Sequence, residues 1–434
     1  MKEPVVKTVT PSSSTKRNPD GGKKKFESLE VEVDEKTFKT TPIFDMFWRY
    51  TANRHAAEEK RRAGEPPPWS SDPALQTHKF CSIFRVADRG SQFLITEVIE
   101  KGSQLPEDIL FRVLLYCSFV KIETYELLEE HLGPLTWSSY RQKKYAAVLQ
   151  DAMDDGMTLY TGAFQKFPPR LGDSVSYINH LRLLEVMMDN GLLGKLMECE
   201  FMADAFDALY VYPSMGDFMT FQLLINLSYT PLLNFNENDF VIAGVGAMEG
   251  LRKCFSPTSL TRGSEEELIR WMTETQDEHF ERLGLEFSGL GKRGRAMTLV
   301  DVEHTLCEVH KYSRLVSERS FAHGKRFTPV TEELPRYPAL PKAWNHPARR
   351  LVRRRPGKYE HPQKQFVVSK ILDKAIDENG NVIYFVDWQG YESSDRTWEP
   401  ASILLEDAPL AVEDYENMHS ADGSGARRKR HRRE

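Results

Sequence analysis

The sequence predicts a multidomain protein, in which a large, mainly α-helical domain precedes a small domain of β-sheet plus helix. Between about residues 41 and 330, apolar residues recur at helical spacing and few segments alternate as strands do. Further along, two short runs of β-branched and aromatic residues flank Asn379–Gly380, a dipeptide that permits positive φ and favours a hairpin. With 434 residues, the chain is long enough for two or three domains.

The composition, with 40% hydrophobic residues, 28% charged residues and a net charge of −6, is typical of a globular protein. The five cysteines are dispersed, without a C-x-x-C pair or a cysteine–histidine cluster at zinc spacing. We therefore predict reduced thiols, no metal site and no cofactor. The most apolar helix, from Ile109 to Ile122, is interrupted by Arg112 and Lys121 and is too short for a bilayer. No signal peptide opens the chain, so we expect an intracellular protein without a membrane partner.

The order of segments follows from composition and periodicity. Residues 1–40 are rich in Ser, Thr, Pro, Gly and Lys and are predicted to form a disordered basic arm. Residues 41–330 form the helical domain. Its predicted helices are Ile43–Arg62, one beginning near Ile109, Ser139–Asp154, Ser174–Cys199, Glu200–Tyr210, Phe218–Leu227, one from a capping box at Ser264 to Leu283, and Thr298–Arg319.

A basic segment joins the two domains. Prolines recur in residues 331–362, which are predicted to form a semi-rigid linker. The small domain follows at 363–419, and the basic run at 420–434 is predicted to be a nuclear localisation signal, with a solvated tail as the alternative. Five linker arginines are candidates for contacting DNA phosphates: Arg349, Arg350, Arg353, Arg354 and Arg355.

The small domain carries two aromatic motifs, Trp388-Gln389-Gly390-Tyr391 and Thr397-Trp398-Glu399-Pro400. With these motifs it resembles a chromodomain. The resemblance implies that a methylated histone tail adds as a strand, and that an aromatic cage holds its methyl-lysine. The implied cage residues are Phe366, Trp388 and Tyr391, with an acidic helper at Asp395. Ring faces attract a quaternary ammonium, and strand addition supplies main-chain hydrogen bonds, so the physics agrees with this role.

The alternative for these aromatic residues is a place in the hydrophobic core. Strand alternation predicts that Val382, Tyr384, Val386 and Trp388 share one face of the sheet. We expect Trp398 to belong to the core, and a helix from Pro409 to about Met418 to cover one face.

The helical domain contains two stretches with glycine before a helix, Tyr212–Leu224 and Val241–Phe255. The first resembles a helix-hairpin-helix turn, with Ser214 in the place of its first glycine. Exposed amides at a helix N-terminus bind phosphate, so we predict DNA contacts at Gly216, Gly244, Gly246 and Lys253.

With Trp69–Pro73 and Leu306–Tyr312, these stretches resemble the helical domain of 5-hydroxymethyluracil DNA kinases and thymine-hypermodification pyrophosphorylases, a relative of helix-hairpin-helix glycosylases. The resemblance covers about residues 43–320 and implies DNA contact and chemistry on modified thymine. The chain contains no G-x-x-x-x-G-K-[ST] motif, so we do not expect phosphoryl transfer by this chain alone.

If the helical domain is catalytic, Asp239 is the first candidate, since the related glycosylases place an aspartate at a similar distance beyond the turn. Asp301 is the second candidate. Glu308 and Lys311 lie one helical turn apart, and a buried lysine beside a carboxylate can have a perturbed pKa. The alternative for each is a helix cap or an ordinary ion pair. Three further residues either contact phosphate or brace the helices: Arg85, Asp88 and Arg89.

Two functions remain open. In the first, a nuclear protein binds a methylated histone tail through its chromodomain and DNA through its helical domain and linker. In the second, a DNA base-modifying or base-excising enzyme is recruited to methylated chromatin. A protein domesticated from a mobile element is disfavoured, because nothing resembles an integrase or polymerase. The sequence does not identify the histone lysine, its methylation state, the base, a kinase or oxidase partner, or the oligomeric state.

Overall fold

The computed structural model describes residues 28–164, 166–169, 171–260, 263–318, 333–362, 368–377, 380–388 and 396–420. These residues form two compact units. The first contains the described residues up to Tyr116, Lys195–Phe206 and Gly216–Tyr359; the second contains Cys117–Gly194, Asp207–Met215 and the described residues from Glu360 onward. None of the helices within these ranges has the length and apolarity needed to cross a bilayer.

The predicted mainly helical domain is confirmed. Its helices are α1 Pro42–Arg62, α2 Pro73–Thr77, α3 Arg89–Phe93, α4 Pro106–Phe119, α5 Ile122–Leu132, α6 Gln142–Asp154, α7 Ser176–Asp189, α8 Leu192–Glu198, α9 Met202–Tyr210, α10 Asp217–Ser228, α11 Val245–Cys254, α12 Glu265–Glu274, α13 Gln276–Arg282 and α14 Leu299–Glu318. Two predicted helices are interrupted. Gly191, with φ +68°, separates α7 from α8, and Thr275 separates α12 from α13.

The prediction of a disordered arm is wrong for residues 30–39, which form a hairpin of strands β1 Glu30–Val33 and β2 Lys36–Lys39. Phe38 is only 1% exposed and packs edge-to-face against Phe255, with ring centroids 6.2 Å apart. Burial of this ring contributes about 1.5–3 kcal/mol toward the roughly 1–2 kcal/mol per residue that ordering the hairpin costs. The Ser256 amide adds a hydrogen bond to the Lys39 carbonyl at 2.8 Å, and average composition does not show such contacts. Residues 1–27 lie outside the described residues.

Close packing of α11 on α14 determines the geometry of the first unit. A Cβ atom at Gly246 would overlap the Cys307 sulfur, and one at Gly250 would overlap the Leu306 carbonyl. The two glycines therefore let the backbones of α11 and α14 approach closely.

The C-terminal part of the second unit is the predicted sheet-plus-helix domain. Strands β3 Val368–Ile376, β4 Val382–Trp388 and β5 Thr397–Pro400 form an antiparallel sheet in that order, followed by α15 Ala401–Asp407 and α16 Pro409–Ser420. Gly380 has φ +85° in the β3–β4 turn, and the Asp377 amide donates to the Asn381 carbonyl at 2.9 Å. Asn379 lies outside the described residues.

The predicted alternation of β4 is confirmed. Tyr384 and Val386 are buried in a core with Ile371, Leu404, Val412 and Tyr415, and Val382 and Trp388 pack against it. The prediction that Trp398 belongs to the core is wrong: its side chain is 43% exposed. Trp398 pairs with Phe385 on the opposite face, with ring centroids 5.1 Å apart, because its register in β5 places it there.

Candidate functional site

A stripe of polar side chains runs along α14 and contacts the segment of residues 79–88. Asp301, His304, Glu308 and Lys311 follow at intervals of three or four residues, so they share one helical face. At one end of the stripe the Arg85 amide donates to Asp301 Oδ1 at 3.0 Å. Further along, the Cys81 amide donates to Glu308 Oε2 at 2.9 Å. The stripe therefore brings three of the four candidate catalytic residues onto one face.

Asp301 is buried, with 3% of its surface exposed, and lies in the first turn of α14. Its Oδ2 accepts hydrogen bonds from the Thr298 amide and hydroxyl, each at 3.0 Å. The same hydroxyl lies 3.3 Å from Glu237 Oε2, and Glu237 is 5% exposed. Burial first, and the nearby Glu237 charge second, raise the pKa of Asp301 to about 6.

A cation and a phenol complete this cluster. The Arg295 guanidinium donates to Glu237 and lies 4.1 Å above the ring of Trp344. Burial by itself would lower the pKa of Arg295. The negative charges of Glu237 and Asp301 have the larger effect, so the pKa of Arg295 is raised. Burial raises the pKa of Tyr229. The hydroxyl of Tyr229 is buried and has no hydrogen-bond partner within the described part of the chain. The cluster therefore combines two buried carboxyl groups, a guanidinium that stays charged and a phenol, and the raised pKa of Asp301 makes this carboxyl the candidate for proton transfer.

Asp239 lies at the other side of the loop that holds Glu237. It is 3% exposed, and its carboxylate accepts from the Asn236 amide at 2.9 Å and from the Arg353 amide at 2.7 Å. Burial raises its pKa, while these backbone amides oppose the rise. Asp239 therefore closes a turn and attaches the segment around Arg353 to the helical unit.

Glu308 and Lys311 form an ion pair, with Lys311 Nζ 3.7 Å from Glu308 Oε2. Lys311 also donates to the Lys79 carbonyl and lies 4.5 Å from the ring centroid of Phe80. The expectation of a buried lysine is wrong, because its side chain is 45% exposed. The alkyl stem covers Phe80 while the ammonium stays near water.

Two of the three glycines predicted to bind phosphate, Gly244 and Gly246, have close contacts within the protein, whereas Gly216 has open space around it. The Gly244 amide, at the start of α11, donates to the buried carboxylate of Glu303 at 3.0 Å. Gly246 lies against α14, and Gly216 precedes α10 in an extended conformation. Lys253 donates to the His310 carbonyl at 3.2 Å and to the Ser313 hydroxyl at 2.9 Å.

The linker arginines differ in exposure. Arg349 is 6% exposed and donates to the Thr230 and Leu233 carbonyls; burial lowers its pKa to about 10. Three others hold contacts within the first unit: Arg353 donates to the Asn234 carbonyl at 3.1 Å, Arg354 lies 3.5 Å from Glu266, and Arg355 lies 3.1 Å from Asp204. Arg350 is exposed. Arg350 and the 52%-exposed Arg354 are thus the linker cations best placed for phosphate.

Of the predicted cage residues, the structure describes Trp388. Its ring is half-buried against the core of the small sheet domain, and Nε1 donates to Thr397 Oγ1 at 2.9 Å. That bond ties the last residue of β4 to the first of β5 and fixes the ring plane. Phe366, Tyr391 and Asp395 lie outside the described residues.

Sequence reasoning missed Glu237, Arg295 and Tyr229 as members of the Asp301 cluster. It also missed the cluster that Cys81, Asp88 and His304 form beside Glu308. No local motif signals these associations, since the residues come from separate segments. Of these residues, only Asp301 and Glu308 could be predicted from the sequence, because they are acidic residues on a strongly periodic helix.

Two families match the chain. The family described as 5-hmdU DNA kinase, helical domain, matches residues 41–321, and the chromodomain family matches residues 366–418.

Similar proteins include the 5-hmdU DNA kinase of Bacillus phage SP10, 23% identical over 69% of this chain and 50% of the phage protein. Heterochromatin protein 1 of Drosophila melanogaster is 33% identical over 13% of this chain and 26% of its own length. Human testis-specific chromodomain protein Y 1 is 48% identical over 10% of this chain and 8% of its own length. The chain spans half or less of each of these relatives. It belongs to the 5-hmdU DNA kinase helical-domain family and carries a C-terminal chromodomain.

Proposed function

We propose that this protein is a nuclear chromatin-binding protein that holds a methylated lysine of a histone tail in its chromodomain and contacts DNA through its helical domain and basic linker. The observation that supports this most strongly is the chromodomain itself, with Trp388 fixed at the end of β4 by Thr397. A ring held in one plane loses little conformational entropy when a methylated ammonium binds its face.

Peptide binding by the full-length protein tests the first half of the proposal. We expect fluorescently labelled histone-tail peptides to bind when one lysine is trimethylated and to bind much more weakly when it is unmodified. Replacing Trp388 with Ala removes one cage face at a cost of about 2 kcal/mol or more, which corresponds to roughly a 30-fold or larger loss in affinity.

Trp398→Ala is the matched control for Trp388→Ala, because it removes the same side chain from the other face of the same sheet. It should leave peptide affinity within about twofold, since surface substitutions usually change stability by less than about 0.5 kcal/mol. Equal losses in the two variants would contradict the cage. DNA binding, measured in parallel by fluorescence anisotropy, should persist in Trp388→Ala and weaken with added salt.

A second function, DNA base modification recruited to chromatin, is favoured by one specific observation. Asp301 has a pKa raised to about 6 and lies in a buried cluster with Glu237, Arg295 and Tyr229. A general acid or base works best when its pKa is near the operating pH. Asp301 fits such a role better than Asp239, whose carboxylate accepts two backbone amides.

Single-turnover reactions test this second function. The full chain is incubated with duplexes containing thymine, 5-hydroxymethyluracil or 5-methylcytosine, and the nucleosides are analysed by mass spectrometry. We expect the unsubstituted chain to form a new base or release one. If Asp301→Asn does not form this product and Asp239→Asn still does, the result would support chemistry at the Asp301 cluster. An unchanged product in Asp301→Asn would argue against it.

A further inference from the structure

A second polar cluster of the first unit lies next to Glu308 and has no part in the function proposed above. A ring nitrogen of His304, the sulfur of Cys81 and a carboxylate oxygen of Asp88 lie within 4.8 Å of one another. His304 comes from α14, whereas Cys81 and Asp88 come from the segment that faces it. The three side chains therefore converge although more than two hundred residues separate His304 from Cys81 and Asp88 in sequence.

The distances fit a tetrahedral metal centre. Zinc binds nitrogen and oxygen at about 2.0–2.2 Å and sulfur at about 2.3 Å, which makes the edges of the tetrahedron roughly 3.3–3.7 Å. His304 Nε2 lies 3.1 Å from Asp88 Oδ2, and the whole cluster is within 4.8 Å. Side-chain rotations that move the ligand atoms by up to about 1 Å would bring them to metal-binding distances.

Neighbouring groups hold these side chains in place. The Ser82 amide donates to Asp88 Oδ1 at 2.7 Å, which leaves Oδ2 directed toward His304. The Cys81 amide donates to Glu308 at 2.9 Å, and the Ser82 hydroxyl donates to Glu58 at 2.8 Å. Such outer contacts orient metal ligands and maintain their geometry before the ion arrives.

Charge and exposure also fit a metal. A thiolate and a carboxylate together neutralise a divalent cation, and sulfur with imidazole nitrogen favours zinc over magnesium or calcium. The side chains of His304 and Asp88 are 17% and 24% exposed, so the site is shielded but not sealed. Three protein ligands leave a fourth position for water or an anionic oxygen, the pattern of catalytic rather than structural zinc.

We propose that Cys81, Asp88 and His304 form a binding site for a divalent transition metal, with zinc as the best-fitting ion. The competing arrangement is a hydrogen-bonded cysteine–histidine–aspartate cluster that binds no metal. This inference is independent of the chromatin and base-modification functions, because it concerns metal binding alone.

The probe is cobalt(II), which replaces zinc and gives a thiolate-to-cobalt charge-transfer band when sulfur is a ligand. We expect the metal-free, full-length protein to bind one equivalent and to show this band. Cys81→Ser should abolish the band, whereas Cys199→Ser should retain it, because Cys199 donates its thiol to the Lys195 carbonyl elsewhere on the first unit. Zinc competition against a chromophoric chelator then gives the affinity.

His304→Gln and Asp88→Asn should weaken zinc binding by more than the roughly 10- to 100-fold loss typical of outer-sphere substitutions. His310→Gln, on the same helix, should leave zinc affinity unchanged.

Circular dichroism of the metal-free variants checks that each remains folded. If Cys81→Ser fails to fold, a second measurement takes the place of this variant. Zinc should protect Cys81 of the unsubstituted protein from alkylation by iodoacetamide, as mapped by mass spectrometry. Absence of a charge-transfer band, a band that survives Cys81→Ser, or alkylation of Cys81 unaffected by zinc would each overturn the proposal.

Discussion

The helical unit and the chromodomain use charged residues differently. In the first unit, Glu237 and Asp301 are 5% and 3% exposed, and the nearby cation that offsets their negative charge is Arg295. In the chromodomain, Lys374 and Glu416 form a pair 2.6 Å apart whose side chains are 41% and 43% exposed. Water screens the second pair and not the first. The comparison indicates that charged groups form a buried cluster in one region and solvate the surface in the other.

Replacing Arg295 with Met should have the largest effect. It leaves Glu237 and Asp301 buried without their cation, and breaking a buried pair in this way costs about 3–5 kcal/mol. Hydrogen–deuterium exchange of the full chain at neutral pH should show this loss in the peptides of α14. The loss should shrink as the pH falls, because Asp301 then takes up a proton, and it does so at a higher pH once Arg295, which lowers its pKa, is removed. A loss below about 1 kcal/mol would show that water already solvates this cluster.

Gly250→Ala should come next. Its Cβ atom would overlap the Leu306 carbonyl, and overpacking of a close helix contact costs about 1–3 kcal/mol. Gly194→Ala is the matched control, because Gly194 also lies inside a helix but has open space around it. That control should stabilise the chain by about 0.5–1 kcal/mol, since alanine favours helix. Urea unfolding followed by circular dichroism measures both, and equal changes would argue against close packing at Gly250.

The pH dependence of stability should identify Asp301 directly. Its pKa rises from 3.8 in the ordinary carboxyl to about 6 in the folded protein, so the folded state binds the proton more tightly than the unfolded state. Unfolding free energy should therefore fall as pH increases from about 4 to about 6. Asp301→Asn, which cannot ionise, should flatten that part of the curve. A variant that keeps the slope of the unsubstituted protein would assign the titration to another group.

Lys374→Met should have the smallest effect. The Lys374–Glu416 pair is exposed, and such pairs contribute at most about 1 kcal/mol. Exchange rates of the chromodomain peptides should change little, and the small change should disappear at high salt. A loss comparable with that of Arg295→Met would remove the distinction between the two regions.

Local features of the sequence predicted the fold well. The hairpin at Gly380, the alternation along β4 and the helix of α14 follow from backbone preference and burial within one segment. Trp398 was assigned to the wrong face, because a strand as short as β5 gives too few residues to show its alternation, and its register with β4 decides.

The candidate sites were less predictable. Asp301 and Glu308 were expected from their positions on a periodic helix, but their neighbours were not. Glu237 reaches Asp301 through Thr298, and Arg349 reaches the Thr230 and Leu233 carbonyls from more than a hundred residues away. Sequence spacing carries no information about such contacts, because they depend on how separate segments pack.

By itself, the sequence determined a mainly helical domain followed by a small domain of β-sheet plus helix, and the position of Trp388 at the end of a strand. Those features depend on backbone conformation and on which face of an element is apolar, and both are encoded over a few neighbouring residues. The tertiary structure alone decided that Gly244 and Gly246 serve helix packing and buried hydrogen bonding, and that Cys81, Asp88 and His304 meet. Long-range packing of α14 against α11 and the segment of residues 79–88 determines both, because it sets which side chains share the interior.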